Sequence, residues 1–181
     1  MTKNQKTGSK SPGVYLRRAE REDFEELARL YKISRTHLRG YAATHYDRAR
    51  FDQMMSDGAG DACEYFLICT IEDGAIAGQI NLSQIFRKSF QNAYLGYQLF
   101  SGFTGHGYMT EAVRLTVNFA FGQLGLHRLE ANVQPTNLPS IKVLERSGFT
   151  KEGYSRRYLK IGGRWRDHER WAIIKEDWKK R

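Results

Sequence analysis

Three glycines within six residues, Gly102, Gly105 and Gly107, sit where a strand-forming run gives way to a helical one. This junction limits the fold more than any other stretch of the chain. Upstream, Ala93 to Phe100 reads as a strand. Downstream, Met109, Ala112, Val113, Val117, Ala120, Phe121 and Leu124 form a wide apolar stripe at helical spacing, and Gly125 closes it as a C-terminal cap. A strand that ends in a glycine-rich loop and opens a helix is a device for holding anions. Glycines let the backbone approach a ligand, the first helical N–H groups have no partner inside the helix, and the helix dipole favours negative charge there. Two named versions of the device are excluded. The dinucleotide fingerprint needs a third glycine where Thr110 stands, and the nucleotide-triphosphate loop needs a Gly-Lys-Ser/Thr that is absent. A tight turn would leave the same Gly-x-Gly, so the rest of the chain has to decide.

Around this junction the hydrophobic period switches in a regular order. Val14 to Arg18 reads as a short strand, Phe24, Leu27, Ala28 and Tyr31 as one helix, and Phe51, Met54 and Met55 as a second. Arg35 to His45, between the two helices, is polar and aromatic without a clear period. Tyr65 to Ile71 and Ala75 to Leu82 read as a hairpin turning at Asp73-Gly74. After the glycine loop and its helix, His127 to Val133 is a strand, and Pro139 opens a short helix to about Arg146. Phe149 to Ile161 and Arg164 to Ile174 form a last hairpin through Gly162-Gly163. The order β-α-α-β-β-β-α-β-α-β-β predicts an α/β fold: one mixed sheet of about seven strands with helices on both faces. It fills a single domain over residues 13–178, preceded by a flexible basic tail over residues 1–12.

At 181 residues the chain closes one sizeable core, burying about 70% of its unfolded surface. No apolar run approaches the ~20 residues of a membrane span, and the polar start carries no secretory signal, so the expected place is the cytoplasm. Cys63 and Cys69 lie on one strand about 20 Å apart, too far to bridge. With no CxxC or clustered His/Cys set, no metal is expected. Lys and Arg outnumber Asp and Glu by 29 to 20, giving +9, with cations gathered at Lys3, Lys6 and Lys10, at Arg156, Arg157, Lys160, Arg164 and Arg166, and at Lys179, Lys180 and Arg181. The imbalance suits an anionic partner, such as a phosphate-bearing cofactor or an RNA-rich target, without choosing between them.

The glycine loop, followed by a helix, a strand, Asn137-x-Pro139-Ser140, a short helix and Gly148-Phe149, resembles the GNAT N-acetyltransferase superfamily. That family's acetyl-CoA loop runs Gln or Arg, two residues, Gly, one residue, then Gly or Ala. Gly105-His106-Gly107 fills its second half, while Gly102 stands in place of the usual Gln or Arg. Ala93-Tyr94-Leu95-Gly96-Tyr97, Gly107-Tyr108-Met109-Thr110-Glu111-Ala112, His127 to Val133, Gly148 to Tyr154 and Gly163-Arg164-Trp165-Arg166-Asp167-His168 are similar to the RimJ/RimL branch, the ribosomal-protein alanine N-acetyltransferases, and closer to RimJ in the second half.

The resemblance implies direct attack of a primary amine on the thioester of acetyl-CoA, with no acyl-enzyme, so both cysteines should be silent. Backbone N–H groups from Gly105 to Met109, with Thr104, His106, Gly107 and Tyr108 in the same loop, would meet the pyrophosphate. Leu99 and Phe100 at the strand end would pair with the pantetheine amides. Asn137 is expected to hold the cofactor's amide arm, and Ser140 to supply a proton to the departing sulfur beside the cofactor. Many relatives carry a tyrosine near the end of that short helix, where Leu144 stands here. The usual glutamate bases are replaced by Tyr94 and Leu159, which leaves His37 and Glu64 as candidates. A weak base suffices for an α-amine. With a pKa near 8, about a tenth of it is neutral at pH 7, against about one part in 2,500 for lysine.

The acceptor implied is the N-terminal amine of a protein, ribosomal in the RimJ/RimL branch, with ribosome association helped by the basic field. One alternative is a small amine such as a polyamine, antibiotic or amino acid. Against a polycation stands Ile33 to Asp57, where Arg35, Arg39, Arg48 and Arg50 face only Asp47, Asp52 and Asp57. Another alternative is a non-catalytic CoA-binding or ribosome-associated factor. Oligomeric state is not encoded in any of these patterns.

Overall fold

The computed structural model describes residues 13–42, 45–58 and 60–178; the basic tail over residues 1–12 and the cations at 179–181 lie outside the described residues. Seven strands form one sheet: β1 (Val14–Arg17), β2 (Glu64–Thr70), β3 (Ile76–Phe86), β4 (Asn92–Leu99), β5 (Arg128–Val133), β6 (Thr150–Ile161) and β7 (Arg164–Ile174). Their order is β1-β2-β3-β4-β5-β7-β6, and every neighbouring pair is antiparallel except β4 and β5.

Helices cover both faces because the strands alternate apolar side chains to both. On one face, α4 (Tyr108–Gly122) and α5 (Leu138–Ser147) pack with Ile68, Ile80, Leu95, Leu129 and Ala131. The opposite face carries α1 (Phe24–Ile33), α2 (Arg35–Leu38) and α3 (Arg48–Asp57), where Leu27, Leu30, Tyr31, Leu38 and Phe51 meet Leu67, Cys69, Ile76 and Phe100. A last short helix, α6 (Lys175–Trp178), follows β7. The expected sheet and two helical layers are present.

Four details depart from the sequence reading. The stretch from Arg35 contains α2, a single turn too short to show a period. β3 runs to Phe86, past the expected Leu82. α4 ends at Gly122, two residues before the last apolar position of its stripe. Cys63 lies just before β2, while Cys69 is buried within it, and both thiols are free.

Candidate active site

The single parallel pair creates the site. β4 and β5 are in register only at Asn92–Arg128, Ala93–Leu129 and Tyr94–Glu130. Beyond Tyr94 they separate, so Leu95 to Leu99 keep their ladder to β3 and have none toward β5. A cleft of about 540 Å³ opens in this gap. Alternation along the strands gives it two sides. Leu95, Tyr97, Ala131 and Val133 belong to the α4–α5 face. Gly96 and Asn81, directly opposed, lie on the α1–α3 face with Gln79 and Gln98. The cleft therefore joins the two faces of the sheet through the missing rungs.

At the end of β4 the chain enters the glycine loop. Gly105 and Gly107 have φ of +85° and +82°, a left-handed conformation that side chains with a Cβ avoid, and a Cβ at either would meet no atom within 4 Å. The glycines are thus required by backbone shape, and the space above them is open. Gly107 caps α4 without side-chain help, and the first helical bond runs from Glu111 N to the Gly107 carbonyl. The N–H groups between them, from Tyr108 to Thr110, precede that bond and fall in the unpaired first turn. Thr104 and His106 are exposed in the loop, the imidazole stacked 5.4 Å from the ring of Tyr108, whose side chain is buried. Leu99 ends β4, whereas Phe100 is fully buried, edge-on to Tyr31 at 5.2 Å, and its backbone N–H is taken by the Ala77 carbonyl at 2.9 Å.

Asn137 and Ser140 both line the cleft. Asn137 caps α5, its side-chain oxygen accepting from Ser140 N at 3.3 Å. The Ser140 hydroxyl lies 2.8 Å from the Tyr97 hydroxyl, which also donates to the Ser140 carbonyl at 3.2 Å. Tyr97 is a neighbour that sequence reasoning missed. Burial pushes its pKa up, so the phenol stays protonated at neutral pH and keeps Ser140 in a proton-holding pair. Leu144, where relatives carry a tyrosine, is packed in the core.

The two proposed bases are not brought to this site. His37 is exposed on α2, and Glu64 begins β2 in an ion pair with Arg18 at 2.5 Å. Neither lines the cleft.

On the α1–α3 side the walls are amides and phenols. The Tyr31 hydroxyl donates to Gln79 Oε1 at 2.7 Å, and the Gln98 amide donates to both, at 2.5 Å to Tyr31 and 3.1 Å to Gln79. Tyr46 stacks on Tyr31 at 4.2 Å with Arg50 over both rings. Burial raises the pKa of both phenols. Asn132 Oδ1, also on the cleft, is buried with no partner. His168 completes this wall. It is 3% exposed, its Nδ1 lies 3.0 Å from the Arg166 carbonyl, and desolvation lowers its pKa.

The acetyltransferase (GNAT) domain model matches residues 14–150. The chain belongs to the GNAT acetyltransferase family. Probable N-acetyltransferase YjcK of Bacillus subtilis is 39% identical over 176 residues, 93% of this chain and 97% of that one. The ribosomal protein uS5-alanine N-acetyltransferase of Escherichia coli is 39% identical over 114 residues, 63% of this chain and 59% of that enzyme. Among solved structures, Mycobacterium smegmatis RimJ in complex with CoA-disulfide aligns with a TM-score of 0.82 at 29% identity, over 90% of this chain and 82% of that one. Spermidine N-acetyltransferase from Vibrio cholerae, in complex with CoA and spermine, aligns at 0.78 over 92% of this chain and 98% of that one. Its 18% identity speaks for the fold alone.

GNAT acetyltransferases use acetyl-CoA, and this GNAT chain has the features such a ligand needs. The β4 edge is free of rungs for an extended chain of amides, and the glycine loop leaves open space before an uncapped helix start. A hydroxyl pair, Ser140 of α5 and Tyr97 of β4, lines the same cleft. Among the described residues no cluster of His, Cys, Asp or Glu could hold a metal ion, and no helix is long and apolar enough to cross a membrane.

Proposed function

We propose that this acetyltransferase modifies the N-terminal α-amine of a protein, ribosomal in the sense of its RimJ-like relatives. The observation that carries this reading is the character of the acceptor wall. Among the described residues, the Asp, Glu, Lys and Arg side chains on the cleft are Arg50 and Asp57 alone. A polycation would be drawn by acidic walls, whereas neutral amides and phenols suit a peptide end with its own amide groups. The named relative acting on uS5 agrees with this reading.

Acetyl-CoA supplies the activated acetyl group. In the proposed arrangement the backbone from Gly105 to Met109 holds its pyrophosphate, the free edge of β4 at Leu99 pairs with its pantetheine amides, and Asn137 steadies the amide arm. The Ser140 hydroxyl, backed by Tyr97, gives a proton to the departing sulfur. An α-amine needs little help to become neutral, since about a tenth already is at pH 7.

Incubation with acetyl-CoA and peptides beginning with Ala or Ser tests the proposal. Release of free thiol together with α-acetylated peptide is expected. Turnover on polyamines or aminoglycosides, with none on any such peptide, would assign a small-amine acceptor instead. Cofactor binding without turnover on any amine would leave a non-catalytic CoA-binding factor.

A further inference from the structure

The reaction moves protons at two places, at the incoming ammonium and at the departing sulfur, and the cleft has a different side for each. Ser140 and Tyr97 belong to the α4–α5 side. The opposite side holds Asn132 of β5, which is opposed by Arg170 of β7. Directly opposed residues share a face and so do residues two apart, which puts His168 on the same face as Asn132, one diagonal step away. Both line the cleft.

The state of the imidazole follows from its hydrogen bond. The Arg166 carbonyl only accepts, so Nδ1 carries the proton and Nε2 keeps its lone pair. Among the described residues no protein group bonds to Nε2, and the atom is not sealed from the cleft. Other groups bearing on its charge are Asp167 on its own strand, which favours the imidazolium, and the Tyr158 ring of β6 at 6.2 Å. Ser155 stands opposite on β6, and Tyr97 and Ser140 face the cleft from β4 and α5. Burial outweighs the Asp167 charge, which leaves a neutral imidazole at pH 7.

We infer that His168 Nε2 is the proton acceptor for the incoming α-ammonium, which reaches it from the side of the cleft that Asn132 shares. This inference rests on the proposed amine acetylation. The ammonium nitrogen gives one proton to Nε2, and its freed lone pair attacks the thioester carbonyl carbon. As the carbon–sulfur bond breaks, Ser140 gives its proton to the sulfur, and the nitrogen's second proton leaves as the amide forms. That second proton passes to solvent as Ser140 regains one from it, which restores the hydroxyl and balances the proton taken by sulfur, and the imidazolium releases the first to solvent. Acid and base thus act from opposite faces of the sheet through the same gap, and no carboxylate is needed.

His168→Asn keeps a donor that can reach the Arg166 carbonyl and removes the Nε2 lone pair. With an alanine-terminated peptide, kcat should fall by about 10² to 10⁴ while CoA affinity stays within about twofold. The pH profile separates this role from a structural one. In the parent, kcat/KM should be level between the imidazole pKa, below its ordinary 6.5, and the amine pKa near 8. In the variant it should climb about tenfold per pH unit up to the amine pKa, because only amine that is already neutral can react. A folded variant with the parent's rate and level profile would overturn the inference. If the variant does not fold, the parent profile alone decides: a tenfold climb per unit below pH 8 would also overturn it. If the parent acetylates no amine, the proposed function falls first. In that case nitrogen NMR of the imidazole decides, and a charged ring at pH 7, or a proton on Nε2, would sink the inference without any turnover.

Discussion

At the scale of single residues, the side chains of Ser140 and Tyr97 are joined by a hydroxyl–hydroxyl bond of 2.8 Å across 43 residues of sequence. Ser140→Ala should lower kcat by about 10² or more, with CoA affinity nearly unchanged, and steady-state kinetics beside calorimetry would show the split. Tyr97→Phe should cost less, because the serine hydroxyl survives. In the double variant the two losses should not add, as expected of groups that act as one unit. Ser140 could be picked from sequence because it lies beside Asn137 and Pro139 in a recognisable helix start. Tyr97 could not, since nothing local to β4 announces a partner on α5. His168 was equally hidden, because its burial arises only when β7 pairs with β5 and β6 around the cleft. His37 and Glu64 looked usable as residue types, but His37 stays exposed on α2 and Glu64 is held by Arg18.

Elements depend on their junctions. Asp23, just before α1, accepts two short bonds from Arg17, at 2.7 and 2.6 Å, and one from Glu20 N at 2.7 Å. The guanidinium holds the Asp23 carboxyl below its ordinary 3.8. A depressed folded-state pKa adds stability that is complete above the unfolded value and is lost as pH falls through the folded one. Asp23→Asn should therefore destabilise by about 1–2 kcal/mol at pH 7, and the gap to the parent should shrink below about pH 3.8 in urea melts. Leu144, fully buried between α5 and the sheet, should cost about 2–5 kcal/mol as Leu144→Ala by the same measurement at pH 7. The strands and long helices were legible because their periods of two and 3.6 persist for several repeats. The four residues of α2 were not, because one turn has no period, and the split of β4 from β5 was not, because it is a property of two strands at once.

Over the whole molecule, two helical layers hold a sheet with missing rungs, and the charge is spread unevenly around it. Arg156, Arg157, Lys160, Arg164 and Arg166 gather at the β6–β7 hairpin, and none forms an ion pair among the described residues. If this field speeds encounter with an RNA-rich acceptor, raising salt from about 0.05 to about 0.2 M should cut kcat/KM on ribosomal particles by about tenfold or more. On a short neutral peptide the change should stay within about twofold. Cofactor capture by the glycine loop is the step on which acetyl transfer at this cleft depends. Isothermal calorimetry with CoA tests it: the parent should show one saturable site, and Gly107→Val should show none, since a β-branched side chain opposes a φ of +82° and fills the open space beside the helix start. A folded parent that gives no saturable heat with CoA, or a folded valine variant that binds as tightly as the parent, would contradict the account.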